Sequence, residues 1–332
     1  LRRQQFLLLP RGISGKHPRS GRVPNRKRSH AHPHSKHNPF THFPKDPNCP
    51  ICNECKNTRA QCRTKTYAKP DQLPKPLKFG DSLSADHKIL NDDDASREAD
   101  KVAMIIVDRF SRWLQGYACK SKSAAECIKY FKRFVGPQFK PEHVYSDNSK
   151  ELISACKELG WAHDTSTPHR SETNGVIERS VRTVKEGTSS ALIQSGLDDA
   201  WWPQAMACYC FLKAVVDILD DNKTAFERRY GSSFSGPLIP FGAEITYLPI
   251  TDKDKSRLHQ FGSKVLSGIF LGYEQQEGGG WSGDFLVLDW EEIENASHFS
   301  DIHIKRFKHS EVTAHMVGND FRFPRNHPTT WL

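Results

Sequence analysis

The sequence predicts a mixed α/β protein, a layered sheet flanked by helices, with a smaller all-β unit behind it. Three observations carry this. Between residues 82 and 219, apolar strand and helix patterns follow one another in the order β-β-β-α-β-α-β-α-α. Beyond Gly231 the helical period gives way to short strands divided by turns. The chain has 332 residues, of which 36% are hydrophobic and 26% charged, enough for a sizeable core in about two domains. No apolar run approaches the roughly 18 residues of a membrane span, so no membrane partner is expected. Leu7-Leu8-Leu9 stops at Pro10, too short for a signal-peptide core. The chain begins with Leu1, as a fragment of a longer protein would.

Residues 1–36 hold ten Lys or Arg and no Asp or Glu, which leaves 38 basic and 39 acidic groups in the other 296 residues. The net charge of +9 therefore belongs to one arm. That arm is rich in Gly, Pro, Ser and His, and it cannot bury enough apolar surface to fold. A basic disordered arm suits polyphosphate, and Arg26-Lys27-Arg28 is compatible with a nuclear address. A plain linker would look the same.

Residues 37–62 read as a small zinc-binding module. His37, His42, Cys49 and Cys52 stand in the order H-x4-H-x6-C-x2-C. Two imidazoles and two thiolates complete a closed tetrahedral zinc site for one ion. Cys55 and His34 are alternative ligands, and a His-rich loop beside reduced cysteines is the plainer reading. The count of nine cysteines is odd, and four of them, Cys49, Cys52, Cys55 and Cys62, cluster in this segment. No secretory signal points to a disulfide scaffold. Cys119, Cys127, Cys156, Cys208 and Cys210 lie in apolar-periodic stretches and read as core residues. Residues 63–80, with Lys69-Pro70, Leu73-Pro74 and Lys75-Pro76, read as a linker.

The layered domain is expected over 81–230. Ser82–Leu90, Lys101–Phe110 and Arg112–Cys119 are the strands of a meander, and Ser123–Val135 has helical spacing. Pro141–Ser146 is a short strand, Lys150–Gly160 a helix stopped by glycine, and His163–Thr167 another short strand. Asn174–Gln194 and Asp198–Leu219 are helices, the second carrying Trp201-Trp202. Ala243–Leu248, Lys264–Tyr273, Gly283–Leu288 and His303–Phe307 read as strands of a small β-barrel over 241–309. Residues 310–332 show no period and read as an irregular tail.

Three carboxylates fall where a metal site would need them. Asp86 lies mid-strand, Asp147 sits just past the carboxyl end of Val144-Tyr145-Ser146, and Glu178 lies one turn into the long helix. Ligands gather at the carboxyl ends of strands in open α/β sheets. Converging anions repel, and two Mg2+ (or Mn2+) ions between them would answer that repulsion and catalyse displacement at phosphorus. Arg182 and Lys185 follow Glu178 on one helix face, ready for phosphates. The same spacing also suits a plain Glu178–Arg182 surface pair. Asp81, Asp92 and Asp108 are rivals to Asp86.

Several ordered motifs resemble the integrases of retroelements. Tyr145-Ser-Asp147-Asn148-Ser-Lys-Glu151 is similar to their T-D-N-G-x-E-F segment. Thr167-Pro168-His-Arg-Ser-Glu-Thr-Asn174-Gly175-Val-Ile-Glu178-Arg179 is similar to T-P-x-x-x-x-x-N-G-x-x-E-R. Ile106-Val-Asp108-Arg-Phe-Ser111-Arg112-Trp113 resembles the I-D-x-F-S-R-W hairpin of Copia-type elements. The zinc segment looks like the N-terminal His-His-Cys-Cys domain, and Phe241-Gly-Ala with Gly268-Ile-Phe-Leu-Gly272-Tyr273 looks like the SH3-like barrel after Copia-type cores.

The resemblance implies an RNase H-like fold and a D,D-E polynucleotidyl transferase with Asp86, Asp147 and Glu178 as its catalytic, metal-holding triad. It implies DNA contacts at Asn174, Arg179, Arg182 and Lys185. The implied reactions are 3′-end processing of element DNA and its strand transfer into target DNA, in a homo-oligomer acting in the nucleus. The chain departs from the pattern in places. Thirty residues lie between Asp147 and Glu178, fewer than the family usually has. Asn148 is followed by serine rather than glycine, and the gap between the His and Cys pairs is shorter than in retroviral forms. Asp108 matches an acid that the family carries outside the triad. No Y-x-D-D polymerase or D-[ST]-G protease motif is present, so only the integrase portion of a polyprotein is expected. A DNA-binding remnant without catalysis, or a nuclease of the same fold, are the competing readings.

Overall fold

The computed structural model describes residues 37–57, 75–165 and 175–326. The basic arm, His34, Cys62, most of the linker, Asn174 with the motif before it, and the last six residues lie outside them. Among the described residues, no helix is long and apolar enough to cross a membrane.

In chain order the elements are α1 (Pro50–Cys55), β1 (Leu83–Ile89), β2 (Val102–Asp108), β3 (Leu114–Cys119), α2 (Ala124–Val135), β4 (Val144–Ser146), α3 (Lys150–Leu159), β5 (His163–Thr165), α4 (Gly175–Ser195), α5 (Trp202–Val216) and α6 (Ala225–Tyr230). Strands β6 (Glu244–Tyr247), β7 (Leu266–Gln275), β8 (Trp281–Asp289), β9 (Ile304–Lys308) and β10 (Val312–Ala314) follow. The first five strands form one mixed sheet in the order β3-β2-β1-β4-β5, antiparallel through β1 and parallel beyond it.

Alternation along β2 splits the core between the two faces of this sheet. Ala103, Ile105 and Val107 face α4 and α5, packing with Ile177, Val184 and Met206. Val102, Met104 and Ile106 face α2 and α3, packing with Phe131, Phe134, Leu152 and Cys156. Every residue of β2 is buried, as a strand covered on both faces requires. The five cysteines read as core residues are all buried. Helix α2 starts at Ser123, whose hydroxyl accepts the Glu126 amide, and helix α3 stops at Gly160 in the left-handed region.

Helix α5 is apolar on nearly all sides, because it is covered twice. One side packs on the mixed sheet. The other meets the C-terminal sheet, whose order is β10-β6-β7-β8-β9. Tyr209, Phe211 and Leu212 share one core with Ile245, Tyr247, Phe270, Phe285 and Val287. The stretch read as an irregular tail thus contributes β10 and a short pair, Met316–Val317 with Asp320–Phe321. These strands are two or three residues long, too short to register as a period. Among the described residues, β9 and β10 stand at opposite edges of this sheet.

Helices α4 and α5 approach closely at Gly187, where a Cβ would lie 1.9 Å from the Tyr209 ring. Tyr209 is 3% exposed and has little room to yield. Gly187→Ala should therefore lower stability by about 1–3 kcal/mol through overpacking, although helix propensity alone favours alanine by about 1 kcal/mol. Urea unfolding midpoints decide between the two signs.

Candidate active site and metal centre

Strands β1 and β4 run parallel with Leu83 beside Val144, Ser84 beside Tyr145 and Ala85 beside Ser146. The next residues in that register are Asp86 and Asp147. Adjacent strands lie about 4.8 Å apart and paired residues share a face. Asp86 continues β1 and Asp147 directly follows the last residue of β4, and the two carboxylates are electrostatic neighbours. The face of Asp86 is settled by its neighbours. Asp86 pairs across with Ile105, which faces α4. His87 points the other way, its Nε2 lying 3.4 Å from Cys127 Sγ of α2.

Helix α4 crosses this face over β1 and β2. Ile177 is buried against the sheet, and the next residue, Glu178, is exposed at the helix start. The carboxyl of Asp86 is pushed up to about 6, mainly by burial and then by the facing charges of Asp147 and Glu178, while the His87 amide and Lys122 oppose the shift. Asp86 thus feels both of the other acids. They are not drawn into a closed ligand cage: among the described residues, His37, His42, Cys49 and Cys52 are the one group whose ligand atoms all lie within 4.8 Å of one another.

Asp147 is held from its own strand end. Its Oδ1 accepts the Ser149 amide (3.3 Å), and its carbonyl accepts the Ser146 hydroxyl (2.7 Å), which itself meets His163 Nε2 at 2.9 Å. Arg179, Arg182 and Lys185 are exposed on α4. Arg182 pairs with Glu186 (Nε–Oε1 2.8 Å), and among the described residues Glu178 makes no ion pair. The plain Glu178–Arg182 pair is therefore not formed. Lys122, beside Asp86 and 3.8 Å from Glu151, carried no sequence signal, since it reaches the site through the fold alone.

The rival acids have structural work. Asp108 is fully buried and accepts Gly80 N (2.9 Å), Ser111 N (2.6 Å) and the Ser111 hydroxyl (2.6 Å). Asp81 caps the backbone of Leu77 and Lys78, and Asp92 pairs with Lys101. A hollow of about 400 Å3 follows the outer edge of β3, lined by Gln115, Tyr117, Tyr130 and Gln204, and none of the three site carboxylates lines it.

The second centre is built by the turn into α1. The Cys49 sulfur caps the helix by accepting the Cys52 amide, with Pro50 at the first helical position. Both sulfurs are thereby aimed to one side. His37 Nδ1 meets the Pro44 carbonyl at 2.8 Å. As a donor there it leaves Nε2 for a ligand role, the arrangement common in metal-bound histidines. His42 Nδ1 lies 3.6 Å from Cys49 Sγ. A tetrahedral zinc with N and S arms of about 2.0 and 2.3 Å implies an edge of roughly that length. Burial, then the nearby His37 and Lys56, lower the pKa of His42 to about 4, so it stays neutral as a ligand must. Cys55 lies outside the group.

This segment is tied to the helices beside it. Lys56 Nζ donates to the Thr41 and His42 carbonyls, and the Thr41 hydroxyl donates to Asp217 at the end of α5 (2.7 Å). Asp217 also pairs with Lys213 at 2.7 Å.

The raised carboxyl of Asp86 has a stability consequence. The folded state keeps this proton to higher pH than the unfolded chain, so stability falls as pH rises from about 4 through about 6. With divalent ions chelated, Asp86→Asn should raise the Tm at neutral pH and leave it nearly unchanged below pH ~4. Calorimetry at both pH values checks this, and a Tm change independent of pH would contradict it.

No protein-family profile matches the chain. It is 30% identical over 177 residues to the Retrovirus-related Pol polyprotein from transposon RE1 of Arabidopsis thaliana, covering 51% of this chain and 12% of that protein. It is 29% identical over 214 residues to the Retrovirus-related Pol polyprotein from transposon TNT 1-94 of Nicotiana tabacum, covering 55% of this chain and 14% of that one. The chain thus spans a small part of the length of these curated relatives. Among solved structures it is similar to the HTLV-2 integrase catalytic core domain in complex with magnesium, at 18% identity and a TM-score of 0.37 over 46% of this chain and 99% of that one. Over about half of its length the chain is thus similar to the Pol polyproteins of retroelements.

Proposed function

We propose that the chain is the integrase of a Copia-type retrotransposon, processing the 3′ ends of element DNA and joining them to a target duplex. The observation that carries this is the register of β1 and β4. It sets the end of β4 next to Asp86, which has both Asp147 and Glu178 as electrostatic neighbours, and this supports the reading. An all-oxygen donor set suits Mg2+ or Mn2+, and Asp86, Asp147 and Glu178 would hold two such ions. When bound, the ions would neutralise phosphate charge and lower the barrier to in-line displacement. The chain's own task is to seat the DNA. Arg179, Arg182 and Lys185 line the exposed side of α4 for the backbone, and Asn174, proposed as a further contact, lies outside the described residues. The half-buried positions of Asp86 and Asp147 keep them close to the sheet yet reachable by a strand.

His37, His42, Cys49 and Cys52 fit one zinc ion, which would cross-link a segment too small to hold itself together. The C-terminal sheet is read as the SH3-like module of this family, and the basic arm as a further contact to DNA. Assembly into a homo-oligomer on DNA and action in the nucleus belong to the same proposal.

Glu178→Gln should reduce Mg2+-dependent cleavage and joining of a labelled duplex on the order of a thousandfold, while DNA affinity stays near that of the wild type. Wild-type protein that binds DNA but never cuts or joins it would favour a non-catalytic DNA-binding role instead. For the second centre, one zinc per chain is expected by metal analysis, lost in Cys49→Ser and in Cys52→Ser. Equal zinc in wild type and both variants would remove that assignment.

A further inference from the structure

The turn between β2 and β3 is built with more care than a connection needs. Asp108 ties it down from inside through Ser111 and Gly80, with three bonds of 2.6–2.9 Å. Arg228 holds it from outside, donating to the Phe110 carbonyl at 3.0 Å while its other nitrogens pair with Asp221 at 3.0 and 3.1 Å. What this rigid turn presents is Arg112, exposed and in the left-handed region at φ 62°. A non-glycine residue there carries a conformational cost.

The charges around the turn are mostly of one sign. Crowding by the surrounding protein, then by Arg228 and Arg179, lowers the pKa of Arg112, with Asp220 and Asp108 opposing. Arg228 is matched by Asp221, and Asp108 is enclosed. Among the described residues, neither Arg112 nor Arg179 makes an ion pair or side-chain hydrogen bond. Arg179 directly follows Glu178. The neighbouring Arg109 has Tyr145 of β4 as an electrostatic neighbour, two residues before Asp147. The Arg109 amide bonds to the Ser82 carbonyl. That places the turn about four residues' rise, ~13 Å, from Asp86 along β1.

We propose that Arg112 and Arg179 form a phosphate clamp, gripping the backbone of the DNA strand a few nucleotides from the point where it meets Asp86, Asp147 and Glu178. Two guanidinium groups on different elements, one on a pinned turn and one at a helix start, suit phosphate oxygens. They position the strand and read no sequence. This deepens the integrase reading and rests on it for the choice of strand.

The test uses the full chain and a fluorescent duplex oligonucleotide at increasing KCl. Arg112→Gly is the informative variant, because glycine adopts the left-handed region freely and the turn should keep its shape. Its affinity is expected to fall three- to tenfold at low salt, and its salt slope by about one. Arg112→Lys should keep most of the slope. The Tm of both should stay near that of the wild type; should Arg112→Gly unfold, Arg112→Asn, also tolerated at this φ, takes its place. Wild-type affinity and slope in a folded Arg112→Gly overturn the clamp. If that result comes with wild-type strand transfer, the clamp fails and the integrase reading stands. If no strand transfer occurs in the wild type but Arg112→Gly still loses affinity and slope, the integrase reading fails and the clamp stands as a general DNA contact.

Discussion

Parallel pairing of β1 with β4 sets Asp86 near the strand end that carries Asp147, and much of the molecule bears the consequence. Both strands are locked in a five-stranded sheet, and Asp147 follows directly on the last paired residue of β4. The alternation that sends Leu83 and Ala85 into the core beneath α2 and α3 necessarily sends Asp86 the other way. Sliding β1 by one residue would bury Asp86 and expose Ala85, at a cost in transferred charge that no local rearrangement could offset. The register is therefore fixed by the apolar residues and inherited by the acids.

The opposite face explains why the acids stay reachable. The cluster under α4 and α5 draws on β2 and β3 but includes no residue of β4 or β5. Helix α4 covers only part of the sheet, so Asp147 lies at the border of the covered area and remains half-buried. What keeps α4 there is at its far half, where Gly187 admits the Tyr209 ring and α5 is braced in turn by the C-terminal sheet. Ile177 seats the first turn on the sheet, while Glu178 beside it stays exposed.

Hydrophobic period made most of this readable from the sequence. The mixed sheet's strands and helices α2 to α4 lie within a few residues of the expected bounds, because most of them bury a repeating apolar face, β5 (His163–Thr165) excepted. Misreadings came where length or partner removed the period. Asp198–Leu219 joins a 3₁₀ turn at Asp199–Trp201 to α5, since both are apolar. Helix α6 has six residues and is defined by the Thr224–Glu227 capping box rather than by a stripe. Strand β10 is legible only through its pairing with β6. At the site, motif and position point to Asp86, Asp147 and Glu178, while the duties of Asp81, Asp92 and Asp108 are visible only with their backbone and lysine donors in place. The pairing of Arg182 with Glu186 rather than Glu178 was equally invisible, because helical spacing permits both.

The two candidate centres differ in a way their ligands dictate. Imidazole and thiolate groups sit in a tight group with Cys52 and His42 buried and a lysine fastening the loop to its own carbonyls. Soft ligands in so closed a setting favour an ion that stays. The carboxylates are spaced more widely, half-open and mutually repelling, with Lys122 and the cations of α4 nearby. Hard ligands on an open face favour ions that retain water and accept a phosphate as a further ligand. Burial, and then the charges of two other acids, raises the Asp86 carboxyl, a cost that the fold carries on its own and that a neutral side chain at position 86 would remove.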